Sequence, residues 1–249
     1  MRAPIIELHS LVKTFDHSAR PCLGGINLRI LQGEKFGIFG PNGAGKTTLI
    51  SILCNIIQPT SGEVRYYLHG EPKHIHAVMP TIGFVPQEFA FYPELTPSQS
   101  LHYFGALYDM PKRIREKKID ILLDRLSLTH VRHKRIQEFS GGMKRRMNLA
   151  IGLINDPSIL FLDEPTVGVD VQSKSAIIRL LDELNRNGTT ILYTSHHLKE
   201  AEDFCDRIAL LDQGQIIALD TLPNLLQHNK VGNLEELLLG LTGITLRDS

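Results

Sequence analysis

Nine residues that begin at Gly40 set the strongest constraint on how this chain can fold. They follow a short apolar run, residues 35–39, precede a stretch with helical spacing, and comprise Gly40, Pro41, Asn42, Gly43, Ala44, Gly45, Lys46, Thr47 and Thr48. Glycine lets successive backbone N–H groups turn inward onto an anion, and a helix that begins near Lys46 adds the positive end of its dipole. The spacing is that of a P-loop, with a strand before it and a helix after it. It predicts a loop that binds the phosphates of a nucleotide, with Lys46 reaching the terminal phosphates and the Thr47 hydroxyl binding Mg²⁺.

The composition is that of a globular protein without an electrostatic bias toward nucleic acid. The 249 residues are 42% hydrophobic, and 27 Lys and Arg balance 27 Asp and Glu. Cys22, Cys54 and Cys205 are too few and too far apart for a disulfide framework or a zinc knuckle, so we expect a reducing compartment. The first residues do not have a signal-peptide pattern, and no apolar run reaches the roughly eighteen residues needed to cross a bilayer. We therefore expect no direct membrane span, and any membrane role would come through a partner.

Hydrophobic periodicity predicts an α/β core with a helical insertion. Strands are expected over 5–9, 26–30, 35–39, 64–68, 82–85, 159–162 and 190–193, with a late hairpin of 207–211 and 215–219. Helices are expected over 49–57, between 88 and 156, over 174–185, and as a leucine-rich helix along most of 222–249. Thr96, Pro97 and Gln99 predict a capping box that starts one of the inserted helices.

Two adjacent carboxylates, Asp163 and Glu164, end the apolar run 159–162. Acids just past the carboxyl end of a buried strand lie where α/β sheets bind ligands. Asp163 is suited to hold Mg²⁺, and Glu164 is suited to polarise an attacking water. The alternative is an exposed acidic turn before Pro165, which the presence of the P-loop disfavours.

Ser140, Gly141 and Gly142 precede an amphipathic helix and predict a second anion-binding cradle. An ordinary helix cap is the alternative. A monomer with one P-loop has little use for a second cradle, whereas a dimer can close each cradle on the nucleotide of its partner.

Two further polar residues follow predicted strands. Gln87 could contact Mg²⁺ or the attacking water, or it could be an exposed loop residue. His196 could contact the γ-phosphate, although the adjacent His197 competes for that role and a lone loop histidine is usually structural.

The order of the P-loop, Gln87, the Ser-Gly-Gly-Met segment, Asp163-Glu164, Asp170 and His196 resembles that of the nucleotide-binding subunit of ATP-binding-cassette transporters. The resemblance covers essentially the whole chain. It implies that Phe15 stacks on adenine, that Ser140 and Gly142 grip the γ-phosphate bound to the other protomer, that Asp170 passes information across the dimer interface, and that His196 is the switch histidine. Phe139 and Met143 stand where many members have Leu and Gln, and residues 167–169 depart from the common Ser-Ala-Leu; both departures, and the tail 234–243, look like the drug- and sodium-exporter branch.

The expected fold is therefore α/β, with a P-loop NTPase core, an antiparallel β subdomain and a helical insertion subdomain. Residues 1–249 are expected to form one domain, with 1–87 and 157–220 as the nucleotide-binding core, 88–156 as the helical subdomain and 221–249 as a helical tail. In the family, the loop after Gln87 forms the groove that receives a helix of the membrane subunit. Phe89, Phe91 and Tyr92 fit that groove, and packing in the core of the helical subdomain is the alternative.

The sequence thus predicts an ATPase subunit that binds ATP and Mg²⁺, dimerises with a second copy around two Mg·ATP, and powers export of an unidentified substrate through an integral membrane permease. The expected catalytic residues are Glu164, His196, Lys46 and Gln87, and the expected Mg²⁺ ligands are Thr47, Gln87 and Asp163. We expect it at the cytoplasmic face of the membrane, without a nucleic-acid partner. The rival functions are a cassette ATPase that acts on nucleic acid or ribosomes and a small-molecule P-loop kinase.

Two weaker signals remain. The pairs His74/His76 and His130/His133 lack a convincing third ligand, so we expect no metal there. Residues 111–146 hold twelve Lys and Arg against four Asp and Glu. A solvated face is the main expectation for this basic stretch, and nucleic acid or an anionic membrane leaflet are the alternatives.

Overall fold

The computed structural model describes residues 2–16, 20–195 and 197–243. Its strands are β1 (Pro4–Lys13), β2 (Leu23–Leu31), β3 (Lys35–Phe39), β4 (Ser61–Leu68), β5 (Glu71–Lys73), β6 (Ile82–Val85), β7 (Ile159–Asp163), β8 (Thr190–Thr194), β9 (Arg207–Asp212) and β10 (Gln215–Asp220). Its helices are α1 (Lys46–Leu53), α2 (Ile75–Val78), α3 (Pro97–Leu107), α4 (Lys112–Arg125), α5 (Gly141–Gly152), α6 (Val171–Arg186), α7 (Leu198–Phe204), α8 (Leu222–Asn229) and α9 (Leu234–Thr242). The α/β class predicted from the sequence is confirmed.

Long-range contacts divide the chain into two compact units, one of Met1–Met79 with Thr190–Ser249 and the other of Pro80–Thr189. In the first unit, β1 lies between β2 and β4 and runs antiparallel to both, and β5 pairs antiparallel with β4. The predicted antiparallel β subdomain is confirmed. The division of the sequence into core, helical subdomain and tail stays a prediction.

The first unit also contains the strands that carry the predicted P-loop. The strand β3 pairs in parallel with β8 on one side and with β9 on the other, and β10 pairs antiparallel with β9 as the predicted hairpin. Phe36, Ile38 and Phe39 are fully buried, as the uninterrupted apolar run indicates for a central parallel strand. This buried strand delivers the glycine-rich turn to the carboxyl edge of the sheet.

In the second unit, β6 and β7 pair in parallel and α5 lies directly against β6. Two glycines permit this contact: a Cβ at Gly83 would lie 2.2 Å from the Gly152 carbonyl oxygen, and a Cβ at Gly152 would lie 2.5 Å from a methyl group of Val85. The start of α3 is the predicted capping box, since Thr96 accepts a hydrogen bond from the Gln99 amide and the Gln99 side chain accepts one from the Thr96 amide.

Two helix predictions are corrected by the structure. The helix after the P-loop spans Lys46–Leu53 instead of 49–57, and the chain leaves it through Asn55, whose φ is 57°. The leucine-rich tail forms two helices, α8 and α9, because the chain turns at Lys230 (φ 56°) and restarts at Asn233, which caps α9 through the Glu236 amide. None of the helices in the described ranges combines the length and the apolar character that a bilayer crossing requires.

Candidate functional site

The loop between β3 and α1 has the backbone conformation that its glycines predict. Gly40, Gly43 and Gly45 have φ of 153°, 79° and 109°, values that residues with a Cβ rarely adopt. Gly45 is the N-cap of α1 and provides no side chain, so the first N–H groups of the helix lack a side-chain cap. Asn42 and Gly43 are exposed, and Pro41 is half-buried. This arrangement suits an anionic ligand at the helix N-terminus.

Neighbouring backbone of the same unit fixes the loop from behind. The turn between β9 and β10 donates the Gly214 amide to the carbonyl oxygen of Ala44 at 3.0 Å. A Cβ at Gly40 would lie 1.9 Å from the Leu211 carbonyl oxygen, and a Cβ at Gly45 would lie 2.9 Å from that of Cys22. Such close approach is available only to glycine, so the pattern of glycines reflects packing as well as the turn.

The side chains that follow the glycines lie at the start of α1 and contact the loop. Lys46 is buried, and its Nζ donates to the carbonyl oxygens of Gly40 at 2.8 Å and Pro41 at 3.1 Å, which curls the ammonium back over the loop. Thr47 is exposed at the start of α1, while the Thr48 hydroxyl lies 3.3 Å from the Cys22 sulfur.

In the same unit the Phe15 ring is 46% exposed, with the Lys13 ammonium 5.1 Å from its centroid, so a flat face is available for stacking.

The second unit brings Gln87 to the carboxylate pair at the end of β7. Asp163 and Glu164 are both buried, which excludes an exposed acidic turn. The Gln87 amide nitrogen donates to a Glu164 carboxylate oxygen at 3.1 Å. Glu164 has a φ of 51°, a conformation that costs energy for a residue with a Cβ and that occurs often at functional sites. The carboxylate of Asp163 is an oxygen donor of the kind that Mg²⁺ prefers, so this residue fits that ion.

The segment Ser140–Gly142 lies at the start of α5, next to Asp170. The Ser140 hydroxyl accepts a hydrogen bond from the Met143 amide at 3.3 Å, so it is a helix cap, and a cap of this kind is compatible with the predicted cradle. A Cβ at Gly142 would lie 3.3 Å from an Asp170 carboxylate oxygen. Asp170 caps α6 through the Ser173 amide at 2.9 Å, and this backbone hydrogen bond lowers the pKa of the Asp170 carboxyl. The two helix starts are therefore adjacent within the unit, and Ser140 and Asp170 are exposed.

Sequence reasoning missed Arg145 and Asn148, which α5 buries beside the loop of Gln87. Their partners are backbone groups of residues 86–90 and 167. Burial lowers the pKa of the Arg145 guanidinium, and the Glu164 carboxylate partly offsets that effect. The prediction of a solvated basic face is therefore wrong for Arg145. No spacing rule reveals this, because most of the C-terminal half of α5 is buried and no single stripe marks the inner side.

The remaining predicted residues have different outcomes. His196 lies outside the described residues, so its role stays a prediction. Phe89 is 42% exposed and Tyr92 is 53% exposed, so neither belongs to the core of the helical region. Within the described ranges, no cluster of three or more His, Cys, Asp or Glu side chains could bind a metal ion.

Comparison with known proteins places the chain in one family. The family model described as ABC transporter matches residues 23–167. The linearmycin resistance ATP-binding protein LnrL of Bacillus subtilis (strain 168) is 40% identical over 201 residues, which are 81% of this chain and 65% of that protein. The Nod factor export ATP-binding protein I of Paraburkholderia xenovorans (strain LB400) is 34% identical over 243 residues, covering 98% of this chain and 79% of that protein.

Among solved structures, the ATP-binding cassette MJ0796, a dimer bound to ADP and Pi in a post-hydrolysis state, superposes with a TM-score of 0.79. It is 28% identical, and the superposition covers 87% of this chain and 98% of that one. The P-loop NTPase fold expected from the sequence is thereby confirmed. By the family model, the relatives and the shared architecture, this chain belongs to the ABC transporter family.

Proposed function

We propose that this chain binds and hydrolyses ATP and that it does so as the motor subunit of a membrane exporter. The observation that carries the hydrolytic role is the hydrogen bond between Gln87 and the buried Glu164, in a chain that also has a glycine-rich phosphate loop. A buried carboxylate beside an amide at the end of β7 is suited to polarise and orient an attacking water.

Each residue of the proposed site has a distinct role in binding or hydrolysing ATP. Lys46 and the N–H groups of residues 42–48 bind and orient the β- and γ-phosphates, and the Phe15 ring stacks on the base. Glu164 accepts a hydrogen bond from the attacking water and aims its oxygen in line with the leaving group, while Gln87 holds the carboxylate in position. Thr47, Asp163 and Gln87 would hold Mg²⁺, whose positive charge would offset the negative charge that develops on the phosphates. His196 is proposed to contact the γ-phosphate.

The second cradle, Ser140–Gly142, is proposed to contact the nucleotide of a second copy of the chain. Its exposure supports this role, as does the exposed Val171 next to Asp170, which is 80% accessible. The dimeric state of the cassette MJ0796 favours the same arrangement. A γ-phosphate between two copies makes the dimer depend on ATP, and hydrolysis then loosens it.

Export through a permease is proposed from the names of the relatives, one a resistance protein and one an export protein. The exposed aromatic side chains after Gln87 are suited to contact such a permease, which would hold the chain at the cytoplasmic face of the membrane. Isolation of the chain from detergent-solubilised membranes, with identification of any integral membrane protein bound to it, tests this part. A chain that stays in the soluble fraction of its native cells, bound to RNA or DNA, would support the rival cassette ATPase.

The substitution Glu164→Gln tests the catalytic assignment. The amide removes the negative charge that polarises water but keeps the shape of the side chain, so nucleotide should bind and persist. We expect kcat to fall about 10²-fold or more and the variant to elute as a dimer in size-exclusion chromatography with Mg·ATP. A variant that hydrolyses ATP at the wild-type rate and stays monomeric would disprove the role of Glu164.

A further inference from the structure

The guanidinium of Arg145 is a buried cation that several backbone carbonyl groups surround. Arg145 is 5% exposed, and the ring of Phe89 covers it at 5.0 Å from the centroid. Its Nη1 donates to the carbonyl oxygens of Gln87 at 2.8 Å and Pro86 at 3.4 Å, and its Nη2 donates to that of Val167 at 3.4 Å. Burial of a guanidinium is costly unless its donors are satisfied. Nη1 and Nη2 bond to backbone carbonyl groups of the loops, whereas Nε has no hydrogen-bond partner among the described residues.

The three carbonyl groups belong to the two loops that carry the proposed reacting side chains. Pro86 and Gln87 directly follow β6, and Val167 lies three residues after Glu164. One turn further along α5, Asn148 reinforces the first loop: its amide donates to the Pro86 carbonyl oxygen at 2.9 Å, and its side-chain oxygen accepts from the Ala90 amide at 3.2 Å. Arg145 therefore forms hydrogen bonds with both loops, whereas the hydrogen bonds given above for Asn148 are with the first loop.

We propose that Arg145 is a positioning residue that sets the distance between Gln87 and Glu164. The left-handed backbone of Glu164 persists only if its surroundings fix it, and the bond from Arg145 to Val167 provides that restraint on one side. The bonds to Pro86 and Gln87 hold the amide donor on the other side. Arg145 itself touches neither water nor phosphate in this scheme; it acts through the backbone of the two loops. The inference depends on the proposed ATPase function.

The test compares Arg145→Met and Arg145→Lys with the matched variant Arg146→Met. Arg146 is the next residue on the same helix, and its Nη1 also donates to backbone carbonyl groups, those of Leu126 and Ser127 at 2.9 and 3.4 Å, away from both loops. Each variant of the full chain is measured for kcat, KM, the dissociation constant of a fluorescent ATP analogue and the melting temperature. The last two readouts do not depend on turnover.

We expect Arg145→Met to lower kcat about 10- to 100-fold, as misplacement of reacting groups by a fraction of an ångström to an ångström does. KM and the dissociation constant should change less than about twofold, because the P-loop makes the nucleotide contacts. Lysine keeps the charge but lacks the planar fork that reaches both loops, so Arg145→Lys should remain well below wild-type kcat. Arg146→Met should lower the melting temperature and keep kcat.

Three results would overturn the inference: wild-type kcat in Arg145→Met, full recovery of kcat by lysine, or an equal loss of kcat in Arg146→Met. The first would show that the loops hold themselves, the second that charge alone matters, and the third that any loss of α5 stability has the same effect. If the wild-type protein itself fails to hydrolyse ATP, the proposed ATPase function is wrong. That outcome is distinct from failure of the positioning role of Arg145, which is judged only against an active wild type.

Discussion

At the scale of single residues, Gly40 and Gly43 show two different reasons why a position requires glycine. It has a φ of 153°, and the space where a Cβ would lie is filled by the carbonyl oxygen of Leu211 at 1.9 Å. Gly43, three residues later, also has a positive φ of 79° but has no atom within 4 Å of a built Cβ. The two glycines therefore separate the cost of a clash from the cost of an unfavourable backbone angle.

Gly40→Ala should be far more destabilising than Gly43→Ala. We expect Gly43→Ala to lower the free energy of unfolding by about 1–2 kcal/mol, the cost of a left-handed residue with a Cβ. Gly40→Ala adds the overlap with Leu211 and should cost about 3 kcal/mol or more. Urea denaturation of both variants measures the difference. Equal losses would contradict the close approach of β9 to the loop.

At the scale of elements, α3 and α8 offer the same residue type at the same position with different bonding. Thr96 caps α3 with a reciprocal pair of hydrogen bonds to Gln99, whereas Thr221 is the N-cap of α8 without a side-chain cap bond. A cap satisfies N–H groups that the helix itself leaves without partners. The cap of α3 should therefore matter to stability and that of α8 should not.

Thr96→Ala should lower the free energy of unfolding by about 1 kcal/mol. The control Thr221→Ala should change it by less than about 0.5 kcal/mol, since no bond is lost. Amide hydrogen exchange adds a local readout, and the first turn of α3 should exchange faster in the Thr96 variant. A loss of similar size in both variants would mean that the hydroxyl bond contributes nothing specific.

At the scale of the whole molecule, the formal net charge is zero, so general charge repulsion contributes little to the pH dependence of stability near neutrality. We therefore expect individual buried carboxyl groups to dominate the pH dependence of stability. Glu34 is 1% exposed and accepts hydrogen bonds from the Leu31 amide at 2.6 Å and from Arg207 at 3.2 Å. Burial nevertheless raises the pKa of Glu34 above its ordinary value of 4.5. Glu7, by contrast, has a lowered pKa, chiefly because the Tyr67 hydroxyl donates to its carboxylate.

The sign of the Glu34 effect follows from linkage. A carboxyl whose pKa is raised by folding contributes stability that is fully present below pH 4.5 and is lost as the pH rises through the folded pKa. The free energy of unfolding of wild type, minus that of Glu34→Gln, should therefore fall as the pH rises above this value. The same difference for Glu7→Gln should fall as the pH drops through the lowered folded pKa. Urea denaturation as a function of pH measures both, and matching slopes would refute the assignment.

The local patterns of the sequence were sufficient to predict the P-loop, the buried strand before it, the late hairpin and the capping box of α3. Each of these depends on residues within a few positions of one another: glycines that accept positive φ, alternating or continuous apolar side chains, and a Thr spaced three residues from Gln. The carboxylate pair after β7 was found for the same reason, because an apolar strand ends at Asp163. Such features follow from backbone sterics and short-range hydrogen bonds.

Other features were decided only by tertiary structure. Arg145 reads as one more cation on a basic helix, and its burial depends on carbonyl groups of residues 86, 87 and 167, which are brought to it by the packing of α5 on β6. The tail was predicted as one helix, but the turn at Lys230 divides it. The sequence by itself predicted most of the strands and the glycine-rich turn. The tertiary structure decided which polar groups are removed from water and which protein groups bond to them instead, because those partners are distant along the chain.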